Sequence, residues 1–405
     1  ISKSLSQTSS YVALSEPWTV ASSTFQKNKL YCNVQTSMPA NILGWLVIKD
    51  GVVVAEGNKR GYDGTEINPV YSVTKTLVSM IIGHMVTNGR ITALNQTLDD
   101  FFTNETMWEQ VNDAEYKRSI ALGDLLSMTS GLKEVPDAQY STQDTLEEVL
   151  NQLEPAPELR GVFNYLIFNH ILSRIIHEVT GLTPREYAKT SGVFDALGIG
   201  ENDYTWDTFG GVEGSAYGFN SNPRTLAKIG QLFLQNGFSS NDQQLLDPSW
   251  IESSVSNRLS DPQLGGKGVF FGYGNLWLTD WIDNEGDDSA FADFEGGYSA
   301  AGYLGQVITV FPRLNVVVVI MATIDMDLPV VIADSSLTAS LMSLSIIMRN
   351  LEDLDDIVDE CPSNTFSRAW VATQEWFSAI NFLNSFLAHN RLEAGVGYLI
   401  FGGNY

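Results

Sequence analysis

Hydrophobic residues follow strand-like patterns near both ends of the chain and a helical pattern between them. Two β-rich runs flank Asp50-Gly51 within GWLVIKDGVVVAEG (44–57), and this arrangement predicts a β-hairpin. Residues 73–89 are mostly apolar and stop at Asn88-Gly89, as a buried helix would. From about 90 to 260 the apolar spacing is mainly helical. Strand-like runs then return at 268–281, 300–311 and 315–324, before a helix predicted over 328–351.

Strands at the two ends with helices between them predict one sheet built from both ends of the chain. The predicted fold is therefore α/β (α+β), an antiparallel sheet flanked by helices with an inserted, mainly helical region. Loops are expected near 102–118, 133–145 and 200–222. The predicted divisions are an N-terminal arm (1–16), a sheet domain (17–75 and 260–351), a helical domain (76–259) and a C-terminal extension (352–405).

Composition excludes several classes of partner. The 405 residues include 23 lysines and arginines against 48 acidic residues, which gives a net charge of -25. Such a chain repels phosphate backbones and anionic lipid surfaces, so we expect no nucleic-acid partner. No apolar run reaches about 18 residues without a charged or strongly polar interruption, so no transmembrane span is predicted.

The two cysteines and two sequons bear on the compartment. Cys32 and Cys361 lie far apart in sequence; they either form a disulfide that ties the two ends together or remain two buried thiols. Asn95 and Asn104 begin Asn-x-Thr glycosylation sequons. These features favour an extracellular or secretory-pathway location. No metal site and no cofactor are predicted, since the soft ligands are too few.

One serine and one lysine carry the candidate chemistry. Ser72 and Lys75 are three residues apart at the start of the apolar run, so on a helix they share one face. The backbone N–H of a serine at a helix start is available to an oxyanion. A buried lysine has a lowered pKa and can accept the proton of the serine hydroxyl. A Ser-x-x-Lys string also occurs by chance, so the surrounding sequence must show whether this pair is catalytic.

The sequence contains none of the other catalytic motifs that we considered. The sequence has no Gly-x-Ser-x-Gly, no His-Glu-x-x-His and no P-loop. His170 and His177 have no carboxylates at ligand spacing, and we interpret them as packed or capping residues.

Five blocks around and beyond Ser72 occur in the order of a known superfamily. The chain resembles the serine β-lactamase and penicillin-recognising proteins, in their class C-like esterase branch, and looks most similar to the 6-aminohexanoate-oligomer hydrolases. The blocks are YSVTKTLVSMIIGHMVTNGRI (71–91), LGDLLSMTSGL (122–132), FNYLIFNHILSRIIHEVTG (163–181), YGFNSNPRTLAKIGQLFLQNG (217–237) and the strands GYGNLWLTDW (272–281) with SAAGYLGQVITVFP (299–312).

The resemblance implies a role for individual residues. Ser72 matches the nucleophile, Lys75 its base, and Tyr165 the tyrosine that relays a proton to the leaving group. A phenol beside an ammonium should be stabilised as phenolate, which suits such a relay. The implied reaction is the hydrolysis of a small ester or amide through an acyl-enzyme on Ser72.

The chain departs from the family pattern at two positions. Ile167 replaces the asparagine of the family's Tyr-x-Asn motif. Counting back from Pro312 places Gly297-Tyr298-Ser299 where relatives have Lys-Thr-Gly or His-x-Gly, so no cation is available for a β-lactam carboxylate. The second oxyanion donor is expected near Ala300 or Ala301, and Tyr298 and Gly302 complete the predicted substrate-binding strand.

Two alternatives to a hydrolase remain open. The first is a non-catalytic binding or assembly protein of the same fold, in which the aromatic-rich C-terminal extension (352–405) could mediate homo-oligomerisation. The second is an acyltransferase or transpeptidase that passes the acyl group to an amine or alcohol.

Overall fold

The structure is a computed structural model, and it describes residues 11–21, 29–38, 41–136, 141–167, 170–259, 272–279, 296–323 and 347. The described helices are α1 (Lys29–Ser37), α2 (Val73–Thr87), α3 (Leu98–Phe101), α4 (Glu105–Trp108), α5 (Ala114–Arg118), α6 (Leu122–Leu126), α7 (Leu146–Asn151), α8 (Ile171–Thr180), α9 (Pro184–Thr190), α10 (Val193–Ala196), α11 (Pro223–Leu234) and α12 (Pro248–Val255).

The strands are β1 (Ile42–Lys49), β2 (Val52–Asn58), β3 (Asn68–Pro69), β4 (Ser130–Glu134), β5 (Leu153–Arg160), β6 (Tyr204–Trp206), β7 (Thr208–Phe209), β8 (Val212–Glu213), β9 (Phe219–Ser221), β10 (Phe238–Ser240), β11 (Gln243–Gln244), β12 (Gly272–Tyr273), β13 (Leu278–Thr279), β14 (Tyr298–Gly302), β15 (Gln306–Phe311) and β16 (Val316–Ala322). Short 3₁₀ helices at Tyr303–Gly305 and Pro312–Leu314 follow β14 and β15.

Strands from the two ends of the chain join in one antiparallel sheet, which confirms the predicted fold class. Its order is β12-β13-β14-β15-β16-β1-β2. The N-terminal hairpin, β1 and β2, is held to the later strands by the pairing of β1 with β16, in which Trp45 lies opposite Ile320. The prediction of a sheet assembled across the length of the chain is therefore correct, although the proposed domain boundaries stay predictions.

Both faces of the sheet are covered, because neighbouring residues of β1 enter different cores. Leu46 and Ile48 belong to the larger core, which also contains residues of α2 and α11. Val47, between them, belongs to a second core that includes Leu30 of α1. This alternation follows from the two-residue period of a strand. It also explains why β1 is hydrophobic at almost every position.

The inserted region contains more β structure than its helical spacing predicts. The hairpin of β4 with β5, strands β6 and β9, and the pairs β7–β8 and β10–β11 lie among its helices, and β9 also pairs with β3, which precedes α2. Two regions expected to be loops hold α4, α5 and β6 to β9. Strands of two or three residues are too short for an alternating pattern to be visible, and four-residue helices do not complete a helical period.

Three other predictions fall partly or wholly beyond the described residues. Residues 352–405 and most of 328–351 are not described; Ile347 alone of the latter is helical and fully buried in the second core. Of the predicted N-terminal arm, residues 11–16 are described, and Leu14 is buried there with its N–H bonded to Ser239 O. Among the described helices, none is long and apolar enough to cross a membrane.

Candidate active site

Ser72 lies at the start of the buried helix, as the sequence predicts. It occupies the N-cap position of α2, and all residues from Val73 to Met85 are buried. Tyr71 precedes it with a positive φ of 48°, a conformation that L-residues other than Asn and Asp rarely adopt. Within the described residues the N–H of Ser72 has no intramolecular acceptor, whereas the N–H of Lys75 bonds to Ser72 O at 3.0 Å. The Ser72 N–H is therefore available to a ligand.

Lys75 is 2% exposed, and its ammonium nitrogen contacts three oxygen atoms. Nζ lies 3.2 Å from Ser72 Oγ, 2.9 Å from Ile167 O and 3.1 Å from Ala216 O. Burial lowers the pKa of Lys75 to about 7. The negative charge of Glu134 raises this pKa, but its effect is smaller. Near neutral pH a large fraction of Lys75 is therefore the free amine.

This three-contact arrangement fits both protonation states of Lys75. A neutral amine has two N–H groups, which can donate to Ile167 O and Ala216 O, and one lone pair, which can accept the Ser72 hydroxyl proton. After it takes that proton, the ammonium donates to all three oxygens. The amine can therefore exchange a proton with Ser72 without a change in its contacts.

Tyr165 approaches the same pair from the inserted region. The side chain of Ser72 lies close enough to its hydroxyl to lower the pKa of Tyr165, and Lys75 Nζ lies 4.9 Å from its ring centroid. The segment that carries it is fixed by two bonds from Asn164, from N to Met128 O at 2.8 Å and from Nδ2 to Leu132 O at 2.7 Å. Ser72, Lys75 and Tyr165, which the family resemblance singled out, thus lie together.

The predicted phenolate form of Tyr165 is wrong. Burial raises the pKa of Tyr165 to about 12; the side chain of Ser72 lowers it and the charge of Glu134 raises it further. The neighbouring lysine does not stabilise a phenolate here, because burial brings its own pKa down to about 7. At neutral pH Tyr165 is a neutral phenol. It can therefore donate its proton to one group only if it accepts a proton from another group at the same time.

His170 supports the segment that holds Lys75. Its Nδ1 accepts hydrogen bonds from the N–H groups of Ser215 at 3.2 Å and Ala216 at 3.5 Å. Burial, followed by the charges of Lys75 and Arg174, lowers the pKa of His170 to about 3, so the imidazole is neutral. The interpretation of His170 as a packed residue agrees with this position. His177, in the last turn of α8, is exposed.

The end of β14, just beyond the two alanines, approaches Ser72. A Cβ atom on Gly302 would stand 3.3 Å from Ser72 N and only 2.2 Å from Val70 O, so this position requires glycine. Ala300 is buried and Ala301 half-buried earlier in the strand. Tyr298 packs in the core edge-on against Trp277, with ring centroids 5.2 Å apart.

Sequence reasoning missed the two carbonyls that hold Lys75, together with Glu134 and Tyr273. Ile167 was noted as a lost asparagine, yet its backbone oxygen contacts Lys75 at 2.9 Å. Tyr273 packs edge-on against Tyr165, with centroids 6.3 Å apart. A backbone carbonyl leaves no trace in the sequence, and Glu134 and Tyr273 are distant from Ser72 along the chain.

The remaining predicted residues lie outside this site. Cys32 is buried and disulfide-bonded; Cys361 is beyond the described residues, so the pairing itself stays a prediction. Asn95 and Asn104 are both exposed, and Asn104 caps α4 through its side-chain oxygen. The described part of the chain contains no group of three or more His, Cys, Asp or Glu residues arranged to hold a metal ion.

Comparison with known proteins agrees with this fold. The sequence model of the Beta-lactamase family matches residues 40–341, and the chain belongs to this family. No curated protein matches the sequence. The fold is that of the serine β-lactamase and penicillin-binding superfamily.

Three solved structures illustrate the similarity. A Bacillus anthracis protein provisionally assigned as a 6-aminohexanoate-dimer hydrolase is 18% identical, with a TM-score of 0.58 over 84% of this chain and 88% of that one. EstCE1, a hydrolase with promiscuous acyltransferase activity, is 14% identical, with a TM-score of 0.58 over 77% and 98%. A class C β-lactamase from Rhodobacter sphaeroides is 16% identical, with a TM-score of 0.53 over 78% and 98%. At these identities the likeness shows the fold, and family and fold together support a serine hydrolase.

Proposed function

We propose that the protein hydrolyses small esters or amides through an acyl-enzyme on Ser72. The observation that carries the proposal is the set of contacts around Lys75 Nζ, which lies 3.2 Å from Ser72 Oγ while two carbonyls accept its remaining hydrogens. A pKa of about 7 gives this amine the proton affinity that a general base needs near neutral pH.

Acylation begins when Ser72 Oγ attacks the substrate carbonyl carbon and Lys75 takes the hydroxyl proton. The carbonyl oxygen becomes an oxyanion, which the N–H of Ser72 and a second N–H from the end of β14 would stabilise. When the tetrahedral intermediate collapses, the bond to the leaving group breaks. Tyr165 donates its proton to that group and accepts the proton held by Lys75, so the phenol is restored without a free phenolate.

Deacylation repeats these steps with water as the nucleophile. Lys75 takes a proton from the attacking water, directly or through Tyr165, and the ester bond to Ser72 breaks. Ser72 Oγ recovers a proton, and the acid product leaves. The proposed reaction needs no cofactor or metal, because the nucleophile, base, proton relay and oxyanion donors all come from the chain.

A second candidate is acyl transfer to an alcohol or amine. It is favoured by the similarity to EstCE1, whose reported promiscuous acyltransferase activity occurs on this fold. The chemistry differs only in the group that attacks the acyl-enzyme. Product analysis with and without an added alcohol distinguishes the two outcomes, since transfer yields a new ester in place of the free acid.

A fluorophosphonate probe tests the proposal most directly. We expect one covalent adduct on Ser72 by peptide mass, no adduct in Ser72→Ala, and strongly slowed labelling in Lys75→Met because the base is lost. Ser79→Ala is a matched control, since Ser79 lies on the same helix but donates its hydroxyl to Asn275 O. No adduct on folded wild-type protein would instead favour the non-catalytic alternative.

We also propose an extracellular or secretory-pathway location, with glycans on Asn95 and Asn104. Both asparagines are exposed. Asn104 uses its side-chain oxygen for capping, which leaves its nitrogen for a glycan. A loss of mass on treatment with a glycosidase that releases N-linked glycans, absent in Asn95→Gln/Asn104→Gln, tests this in protein from the native host.

A further inference from the structure

Aromatic side chains surround the opening above Ser72 on one side. Tyr71 directly precedes Ser72, and Tyr303 directly follows Gly302. The two rings pack edge to face, with centroids 5.5 Å apart and planes at 90°. Both residues are half-buried, whereas Lys75 beneath them is buried. Because Tyr71 adjoins Ser72 in the chain and a Cβ on Gly302 would lie 3.3 Å from Ser72 N, this pair lies beside the nucleophile.

The other side of the opening is also apolar. Phe163 and Tyr165 are half-buried, with ring centroids 6.4 Å apart, and Tyr273 packs behind them at 5.0 Å from Phe163. Val162, the neighbour of Phe163, is 40% exposed, which is unusual among the large hydrophobic residues that the structure describes. Apolar surface of this kind next to a nucleophile marks a place for an apolar ligand group.

The charges around this opening disfavour anions. Lys75 is the basic side chain that contacts Ser72 and Tyr165 within the described residues. Glu134 ends β4, the strand whose Leu132 O holds Asn164 beside Tyr165. Leu132 is buried, Lys133 exposed and Glu134 half-buried, so Glu134 turns toward the side of Leu132. Its negative charge acts on both Lys75 and Tyr165.

We propose that this aromatic opening, formed by Tyr71, Val162, Phe163, Tyr165 and Tyr303, selects esters and amides of uncharged, apolar acids. Glu134 excludes acyl groups that carry a carboxylate. A carboxylate that entered the opening would lose its hydration without gaining a cationic partner. It would also be repelled by the negative charge of Glu134. The inference rests on the proposed function, since it names the substrate class of the same Ser72 reaction.

A matched pair of substrates tests the selection. 4-Nitrophenyl hexanoate and the mono-4-nitrophenyl ester of adipic acid share a leaving group and a six-carbon acyl chain, and differ in one terminal carboxylate. We expect kcat/KM to be at least about tenfold higher for the hexanoate. Shortening the neutral chain should lower kcat/KM by about threefold to fourfold per methylene, the usual effect of one buried CH₂.

Removal of the negative charge of Glu134 tests whether this residue excludes acyl groups that carry a carboxylate. Glu134→Gln should reduce the preference for hexanoate over adipate by threefold or more. The measurement is made at pH 8.5, where Lys75 is deprotonated in both proteins. Glu154→Gln is the control, because Glu154 lies on the adjacent strand β5 and pairs with Lys133, and its side chain is 41% exposed. It should leave the ratio unchanged.

A new cation at the rim provides an independent test with little risk to folding. Val162→Lys should favour the adipate ester several-fold relative to wild type. Val20→Lys is the control, because Val20 is also exposed, at 37%, but pairs with Val53 of β2 at the opposite edge of the sheet from β14.

The outcomes separate the two proposals. Equal kcat/KM for the two esters, with Ser72 labelled by the fluorophosphonate, would overturn the charge selection and leave the hydrolase intact. An unchanged ratio in Glu134→Gln would overturn the role of Glu134. No Ser72-dependent turnover and no label would overturn the proposed function, and this inference with it.

Discussion

At the scale of single residues, the pKa of Lys75 determines the pH range in which Ser72 can react. Burial lowers this pKa to about 7. We expect kcat/KM to fall about tenfold per pH unit below 7 as the amine becomes protonated, and to level off above it. Because the charge of Glu134 raises the pKa, Glu134→Gln should move the midpoint to lower pH.

The profile is measured with 4-nitrophenyl hexanoate in buffers of constant ionic strength, with Ser72→Ala as the blank. Glu154→Gln, which removes a charge of the same sign on the exposed side of the β4–β5 hairpin, should not move the midpoint. A flat profile between pH 5.5 and 8.5 on folded protein would contradict the role of Lys75 as base.

The same lowered pKa affects stability. Between about 7 and the unfolded value near 10.4, the unfolded chain binds one more proton at Lys75 than the folded chain does. The free energy of unfolding therefore rises with pH across this range, by about 1.4 kcal/mol per unit, and the cost of the buried lysine is greatest below pH 7. Lys75→Met lacks this dependence.

We expect the unfolding free energy of wild type, relative to Lys75→Met, to increase by about 2–3 kcal/mol between pH 7.5 and 9.5. Urea titrations of both proteins at three pH values give the difference, in which other titrating groups cancel. Parallel pH curves for the two proteins would show that Lys75 titrates normally in the fold.

At the scale of elements, the sequence predicts long, regular segments well and short or irregular ones poorly. The hairpin at Asp50-Gly51 forms as β1 and β2, and the run after Ser72 forms α2, which ends at Thr87. Each has enough residues to display its period. The strands expected over 268–281 are two residues long where described, β12 and β13, because the chain turns between them.

The contact between β14 and the start of α2 could not be predicted to the residue. A count along the sequence indicated an oxyanion donor near Ala300 or Ala301, and that donor stays a prediction; the described approach to Ser72 N is at the adjacent Gly302. The approach depends on how two distant segments pack, and the positive φ of Tyr71 contributes by bending the chain just before Ser72. Neither property has a local sequence pattern.

We expect Gly302→Ala to abolish most of the activity while the protein still folds. The new methyl would lie 2.2 Å from Val70 O, about 1 Å closer than contact allows, so β14 must move away from Ser72. A displacement of that size at an oxyanion site can lower kcat by about 100-fold. The measurement is kcat with 4-nitrophenyl hexanoate, beside a thermal melt.

Gly200→Ala is the control, because a Cβ there meets only the Asp203 carboxylate at 3.3 Å. Wild-type kcat in Gly302→Ala would show that the close approach has no part in catalysis. Loss of the folded state in that variant would be visible in the melt and would show that the protein needs Gly302 in order to fold.

At the scale of the whole molecule, the candidate site unites segments that the sequence separates widely. Ser72 and Lys75 come from α2, Tyr165 and Ile167 from the segment after β5, Ala216 from the turn before β9, and Gly302 from the sheet. The family resemblance supplies the first three side chains. The carbonyls and Glu134 depend on how the inserted region packs on the sheet, which composition and periodicity do not determine.

The predicted link between Cys32 and Cys361 tests the architecture at the same scale. Cys32 is disulfide-bonded and lies on α1, which packs on the second face of the sheet through Leu30 and Val34. We expect urea-denatured, unreduced protein to take up no iodoacetamide, and an unreduced tryptic digest to contain the joined peptides. Cys361→Ser should lower the free energy of unfolding by about 2–5 kcal/mol, because the cross-link restricts the unfolded chain.

The double variant Cys32→Ser/Cys361→Ser should lose no more stability than Cys361→Ser, since either change breaks the same bond. Fluorophosphonate labelling of Ser72 should persist in both, because Cys32 lies on the face of the sheet opposite α2. Two alkylated cysteines in denatured, unreduced protein would contradict the link. That result would also weaken the proposed extracellular location, since two free buried thiols are the ordinary state of cysteines in a reducing compartment.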